Sequence, residues 1–470
     1  MNSNTMGLID QLAGIVGVDA VKTGSADLNH FGKDWTKVYV PDPAAIVFPS
    51  NIEQVQDIVK LAHKREVALV PSGGRTGLSG GAVAEKQELV VSFDRMNKIL
   101  SFDAVDRQVV CQPGVITEQL QEFATNKDLF YPIDFASSGS SQLGGNVATN
   151  AGGIKVIRYG MTRNWILGMK VVTGTGEVLD LNRGLTKNAT GYDFRHLFIG
   201  SEGTLGFIVE LTLALCSKPN DPTVLLLSVE RMVETMEVLK AFQNRMELTA
   251  FEFFSDKAMQ YVIEEKGLQR PFELASEFYV LIEFEKVAEQ DIKDAIELFE
   301  HCLEQGWISD GIISQSAGQA DSLWRLREDI SQTISKFTPY KNDISVKVSQ
   351  VPSFLEASEA LVSEAYPDFE IIWFGHIGDG NLHLNILKPA SLAVAEFKAQ
   401  CEQVSEEVLA IVASFDGSVS AEHGVGLLKR NQLHYTRSAE ELVLMQGLKK
   451  VFDPKGIMNP GKLLGAPATS

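Results

Sequence analysis

Three clusters of glycine and small polar residues, spread through a first half that otherwise reads as strands, constrain the fold of this chain more than any other feature. The first, PSGGRTGLSGGAV, sets five glycines (Gly73, Gly74, Gly77, Gly80 and Gly81) within nine positions, directly after the strand pattern VALVP. Glycine permits positive φ and close backbone approach, and successive N–H groups in such a loop form a nest for phosphate oxygens. The segment contains no GK[ST], and its spacing is not GxGxxG. It runs on into another strand, ELVVSF, and opens no helix, so neither a P-loop nor a Rossmann turn accounts for it. SSGSSQLGGNVATNAGG at 137–153 and GSEGTLGFI at 200–208 repeat the texture. One such loop is most often a structural turn, whereas three in one β-rich domain imply a large nucleotide.

The chain's 470 residues exceed what one hydrophobic core usually serves, so two or three domains are expected. From about residue 45 the pattern is strand (AIVFP), helix (IEQVQDIVKLAHKRE, with Ser50-Asn51 as N-cap) and strand (VALVP). ELVVSF, QVVCQPG, MKVVTG and GEVLDL continue the sheet to about Leu215, with few helices expected there. Pro219-Asn220-Asp221-Pro222 reads as a linker. Beyond it, strands such as TVLLLSV, FYVLIEF and ISVKVS alternate with amphipathic helices, among them VETMEVLKAFQNRM and AVAEFKAQCEQVSEEVLAIVASF.

Composition narrows the function classes. The net charge of −19 argues against nonspecific binding to nucleic acid or anionic lipid, so an anionic substrate would need locally placed cations. No apolar run approaches the roughly 20 residues of a membrane span. The N-terminus has no basic residue before Lys22 and carries Asp10, which is wrong for a secretory signal, and a cytoplasmic protein is expected. Cys111, Cys216, Cys302 and Cys401 are too far apart for a CxxC pair and are expected to be reduced, mostly buried thiols.

The second organising feature is FGHIGDGNLHLN at 374–385. Taking Asp379-Gly380 as a two-residue hairpin turn sets Gly378 opposite Asn381, Ile377 opposite Leu382 and His376 opposite His383, with Asn385 on the histidine face. Two cross-strand imidazoles suit a divalent ion that takes nitrogen ligands at about 2 Å. SAEHGVG offers Glu422 as a third ligand and His423 as a base, so three of the chain's eight histidines fall in these two motifs. The alternative is a pair of hydrogen-bonded sheet histidines. A His2Glu set with an open position fits zinc, and other divalent ions remain open.

Together the three loops resemble those of the FAD-binding domain of the vanillyl-alcohol-oxidase-type flavoenzymes, over nearly the whole chain. The resemblance implies an α+β protein with such a FAD domain at 1–218. An α/β substrate (cap) domain carrying the metal site would span 219–425, and a segment returning to the FAD domain 426–470. It also implies FAD contacts from Pro71, Gly73, Gly74, Arg75, Thr76, Gly77, Gly80 and Gly81 along the pyrophosphate. Ser138, Gly139, Gly144, Gly145, Asn146, Thr149 and Asn150 would run along the flavin and phosphates, Glu202, Gly203 and Ile208 would lie near the adenine, and NPGKLL contributes Asn459. Arg75 stands where some members carry a flavin-linking histidine, so the FAD is expected to be noncovalent.

Flavin and metal together resemble the FAD-dependent D-2-hydroxy-acid dehydrogenases. The resemblance implies a zinc site of His376, His383 and Glu422 that holds the hydroxy acid, with His423 taking the hydroxyl proton as hydride leaves C2 for the flavin. Arg327, Ser331 and Lys341 match positions that grip a distal carboxylate in members acting on dicarboxylates, with Asn385 beside them. Arg327 and Ser331, four apart, would share a helix face. The expected substrate is therefore a 2-hydroxy dicarboxylate, D-2-hydroxyglutarate or D-malate, with D-lactate or glycolate as the alternative. A solvated helix face is the other reading of these charges, and Lys347 departs from the family's usual proline. A flavin-free binding subunit without turnover is the remaining class. By resemblance the electron acceptor would be an electron-transfer flavoprotein or a quinone; a homodimer is the expected assembly, though no motif encodes it.

Overall fold

Alternating strands and amphipathic helices assemble into two units in a computed structural model that describes residues 3–36 and 38–465. One unit comprises Met1–Gly152, Met161–Lys218 and Glu422–Ser470, and the other Gly153–Gly160 and Pro219–Ala421. The chain therefore changes unit at Lys218/Pro219, as the linker composition suggests, and again at Ala421/Glu422. A short excursion at 153–160, invisible in the composition, also belongs to the second unit.

The first unit holds two larger sheets and a two-stranded pair of Leu129–Phe130 with Cys216–Ser217. Ala45–Val47, Leu89–Ser92 and Leu69–Ser72 pair in parallel, with Val21–Lys22 antiparallel at the edge. The helix Ile52–Arg65 connects Ala45–Val47 to Leu69–Ser72. Its N-cap is Asn51, whose side chain accepts the Gln54 N–H at 2.9 Å, a cap worth about 1 kcal/mol. The second sheet is antiparallel: Ile99–Asp103, Gln108–Cys111, Gly206–Ala214, Ile166–Thr173, Val178–Leu181. Helices are more numerous here than the strand-rich sequence implies. Ser3–Val16 is one, and it buries Leu8 and Leu12, one turn apart, against Val55, Ile58 and Val59.

The second unit is one seven-stranded antiparallel sheet in the order Asp310–Ile313, Pro222–Val229, Phe278–Glu285, Leu248–Ser255, Glu370–Gly375, Asn381–Leu387, Tyr340–Ser345. Its central strands are buried on both faces, which is why they read as continuous apolar runs and not as alternations. On one face Ala250, Phe254, Tyr279, Leu281, Ile372 and Phe374 pack against Leu323, Trp324 and Leu326 of the helix Ala317–Glu328. All four cysteines are free thiols, three of them buried. Among the described residues no helix is long and apolar enough to cross a membrane.

Candidate active site

The three glycine loops converge within the first unit on one cavity. Its wall includes Pro71, Gly73, Gly74, Arg75, Thr76, Gly77 and Gly81 from the first loop, Gly144, Gly145, Asn146 and Thr149 from the second, and Glu202, Gly203 and Ile208 from the third. The first two loops touch: a Cβ on Gly74 would lie 2.2 Å from the carbonyl oxygen of Ser140, so only glycine fits. At Gly145 a Cβ would meet no protein atom within 4 Å, so that glycine keeps open space clear for a ligand. This cradle of backbone and small side chains fits a dinucleotide.

Other expected contacts have different roles. Asn459 is fully buried, and its amide donates to the carbonyls of Gly81 (2.9 Å) and Glu202 (2.7 Å), tying the first loop to the third. Asn150 ends its helix at φ +52° and accepts the Arg163 N–H. The Ser138 hydroxyl closes a local turn onto Asp134 and Phe135. Among the described residues Gly80 is off the cavity wall, and Gly139 borders an adjoining pocket with Arg75 and Gln142. Residues the sequence reading missed on the wall include Asp34, Phe93 and Gln142. The Arg75 guanidinium stacks over Phe31 at 4.8 Å and pairs with Asp94 at 3.2 Å.

His423 also lies on the cavity wall. Its segment is clamped twice. The Ser79 hydroxyl donates to the His423 and Gly424 carbonyls at 3.0 Å, and the Glu202 carboxylate accepts the Val425 and Gly426 N–H groups at 2.7 Å. Burial pushes the Glu202 carboxyl above its ordinary pKa, and those two N–H bonds oppose the shift. Nε2 of His423 is 3.3 Å from the Glu422 carboxylate.

In the second unit the histidine hairpin differs from the register expected. Phe374 pairs with His383 and Trp373 with Leu384, so the connection is the four-residue loop Ile377–Gly380 and not a two-residue turn. The cause is that the Gly378 N–H bonds to Phe251 of the neighbouring strand, while Asp379 and Asn381 both donate to the His376 carbonyl. The slip is two residues, an even number, so every side chain keeps its face. His376 and His383 are consequently diagonal neighbours, with ring centroids 5.5 Å apart and planes at 85°. His376 and His383 thus bring two imidazoles together in this unit, a pair suited to a metal ion, while Glu422 belongs to the first unit.

Each histidine has a carboxylate beside it. Nδ1 of His376 is 2.8 Å from Glu252, and Nδ1 of His383 is 3.9 Å from Asp343, its partner across the strands. Glu252 is 1% exposed and also sits 2.8 Å from the Arg327 guanidinium, which stacks over Phe374 at 4.8 Å. Arg327 and Ser331 do not share a face as expected. The helix of Arg327 ends at Glu328 and a second begins at Ile330, leaving Arg327 buried and Ser331 exposed. The Ser331 hydroxyl instead accepts from Lys341 at 3.2 Å, and Lys341 lies opposite Asn385 in the strand pair. Desolvation lowers the Lys341 pKa below the usual lysine value. Nε of Arg327 is buried without a hydrogen-bond partner, a donor that fits a carboxylate ligand.

Two family models match most of the chain. Residues 43–182 match the family described as the FAD binding domain, and 218–463 the family of FAD linked oxidases, C-terminal domain. The D-2-hydroxyglutarate dehydrogenase of Stutzerimonas stutzeri (strain A1501) is 59% identical over 459 residues, covering 98% of this chain and 99% of that one. The protein of the same name from Xanthomonas citri pv. viticola is 53% identical over 94% of each chain. Among solved structures, p-cresol methylhydroxylase with substrate bound has a similar fold, at a TM-score of 0.76 and 14% identity over 99% of this chain and 98% of that one.

Proposed function

The chain belongs to the FAD-linked oxidase family, among its D-2-hydroxyglutarate dehydrogenases, and on that premise we propose that it oxidises D-2-hydroxyglutarate to 2-oxoglutarate with noncovalent FAD and a divalent ion, zinc by ligand type. Bound FAD supplies the two-electron acceptor that side chains lack, and the ion supplies Lewis acidity toward the oxygens of the hydroxy acid. His376, His383 and Glu422 hold the ion. His423 takes the proton of the C2 hydroxyl, and its clamped segment keeps the imidazole on the wall of the flavin cavity. Arg327, Lys341, Ser331 and Asn385 orient the carboxylates. What carries the reading is His423 on the wall of the cavity lined by the glycine loops, next in sequence to the carboxylate of Glu422. By resemblance the electrons then pass to an electron-transfer flavoprotein or a quinone.

One observation favours a smaller substrate. The charge of Arg327 is already paired with Glu252, which suits D-lactate or glycolate as the alternative. The unspent Nε donor and the Lys341 ammonium favour the dicarboxylate. A substrate panel with a dye acceptor decides: D-2-hydroxyglutarate should lead in kcat/KM, followed by D-malate, and a lead for D-lactate overturns the dicarboxylate reading. His376→Ala should lose the ion and the rate while keeping FAD. His423→Ala should keep both ligands and lose kcat by about 10²–10⁴-fold. Full metal content in the first variant, or a full rate in the second, sinks the role assigned.

A further inference from the structure

Glu252 is a charged residue inside the apolar run TAFEFF of the central strand Leu248–Ser255. It is 1% exposed, and burying a carboxylate is costly unless other groups offset it. Here two groups do. The pairings Phe253–Gly375 and Phe254–Phe374 set Glu252 beside His376, whose Nδ1 lies 2.8 Å from the carboxylate. The Arg327 guanidinium lies 2.8 Å away on the other side.

We propose that Glu252 is the positioning residue of this site, one carboxylate that fixes both a metal ligand and the guanidinium that receives the substrate. The inference rests on the metal reading given above. A carboxylate only accepts, so Nδ1 of His376 must carry the proton and Nε2 is left with the lone pair that binds an ion. The same carboxylate holds the Arg327 guanidinium, which lies over Phe374 with its Nε unspent. The helix Ala317–Glu328 is pinned at a second point: Trp324, one turn before Arg327, donates its indole N–H to Glu283 at 2.8 Å. Two buried carboxylates on adjacent strands thus set the register of the helix, and with it the distance from guanidinium to metal ligand. A merely structural ion pair makes no such demand. If that were its role, removing the charge would alter stability and leave metal affinity and substrate preference alone.

The test is Glu252→Gln in the full-length holoprotein, with zinc affinity measured by competition with a chelating dye, and flavin absorbance and thermal unfolding as controls. The zinc Kd should rise by about 10–100-fold. The ratio of kcat/KM for D-2-hydroxyglutarate over D-lactate should fall, because Arg327 loses its orientation. Glu252→Asp keeps the charge one methylene short and should lie between wild type and Glu252→Gln. Zinc bound by the wild type and equally by Glu252→Gln overturns this proposal alone, whereas a wild type that binds no zinc overturns the metal reading with it. Should Glu252→Gln not fold, imidazole ¹⁵N NMR of the wild type decides, with His376 assigned by its loss in His376→Ala. A proton on Nδ1 supports the proposal, and one on Nε2 overturns it.

Discussion

Replacing Gly145 by alanine should move the free and the flavin-bound protein in opposite directions. Gly145 is in the helix Leu143–Thr149, on the wall of the cavity assigned to FAD, and a Cβ there touches no protein atom within 4 Å. In the apoprotein the new methyl clashes with nothing, and alanine is the better helix former, so stability should rise by about 0.5–1 kcal/mol. In the holoprotein the same methyl stands where the ligand packs. One extra carbon in a filled site costs about 1–3 kcal/mol, roughly 5- to 150-fold in FAD affinity at about 1.4 kcal/mol per tenfold. Urea unfolding of the apoprotein and a FAD titration followed by flavin fluorescence measure the two quantities separately. Gly74→Ala is the control: its Cβ would lie 2.2 Å from the Ser140 carbonyl oxygen, so both quantities should worsen. A destabilised Gly145→Ala apoprotein, or an unchanged FAD affinity, would refute the placing of the ligand against this helix.

Two further outcomes follow from buried polar groups in the same unit. Asn459→Leu unhooks the buried carbonyls of Gly81 and Glu202 and should cost about 2–5 kcal/mol, with earlier release of flavin on heating; a thermal profile like that of the wild type would show the brace to be dispensable. Burial pushes the Asp34 carboxyl above its ordinary 3.8, so the folded state binds this proton more tightly than the unfolded chain does. That stabilisation is whole below the unfolded pKa and is lost as pH rises through the raised folded value. Asp34→Asn should therefore gain on the wild type as pH rises from the ordinary 3.8 through the raised folded value, and a flat difference in denaturation midpoint would contradict it.

Much of the fold was legible because its signals are local. Apolar periodicity gave the helix Ile52–Arg65 and its cap, and glycine density gave the loops that line the cavity. The hairpin was legible in its faces and not in its register. Asp379-Gly380 favours a two-residue turn, but the Gly378 N–H is taken by Phe251, a residue more than a hundred positions away, and no local rule sees that bond. Because the slip is even, the two imidazoles keep the face expected of them, whereas a slip of one would turn them to the opposite face. Arg327 and Ser331 were misjudged for a nearer reason: the helix stops at Glu328, so spacing by four no longer means a shared face. Glu252 went unnoticed, although a lone acid inside an apolar strand run is itself a sign of a buried partner. Glu283, inside the apolar run VLIEF on the next strand, is the same sign.

The excursion at 153–160 has a bearing on how this chain can be divided. It supplies Lys155 to the buried Glu283, Tyr159 to Glu285 at 3.0 Å, and Ile154 to the apolar face of the seven-stranded sheet. Cutting at Lys218/Pro219 and Ala421/Glu422 would leave those eight residues behind, and with them the cation that offsets Glu283. A recombinant 219–421 fragment is thus an incomplete unit, and transplanting this half between relatives to exchange substrate preference requires the octapeptide to travel with it.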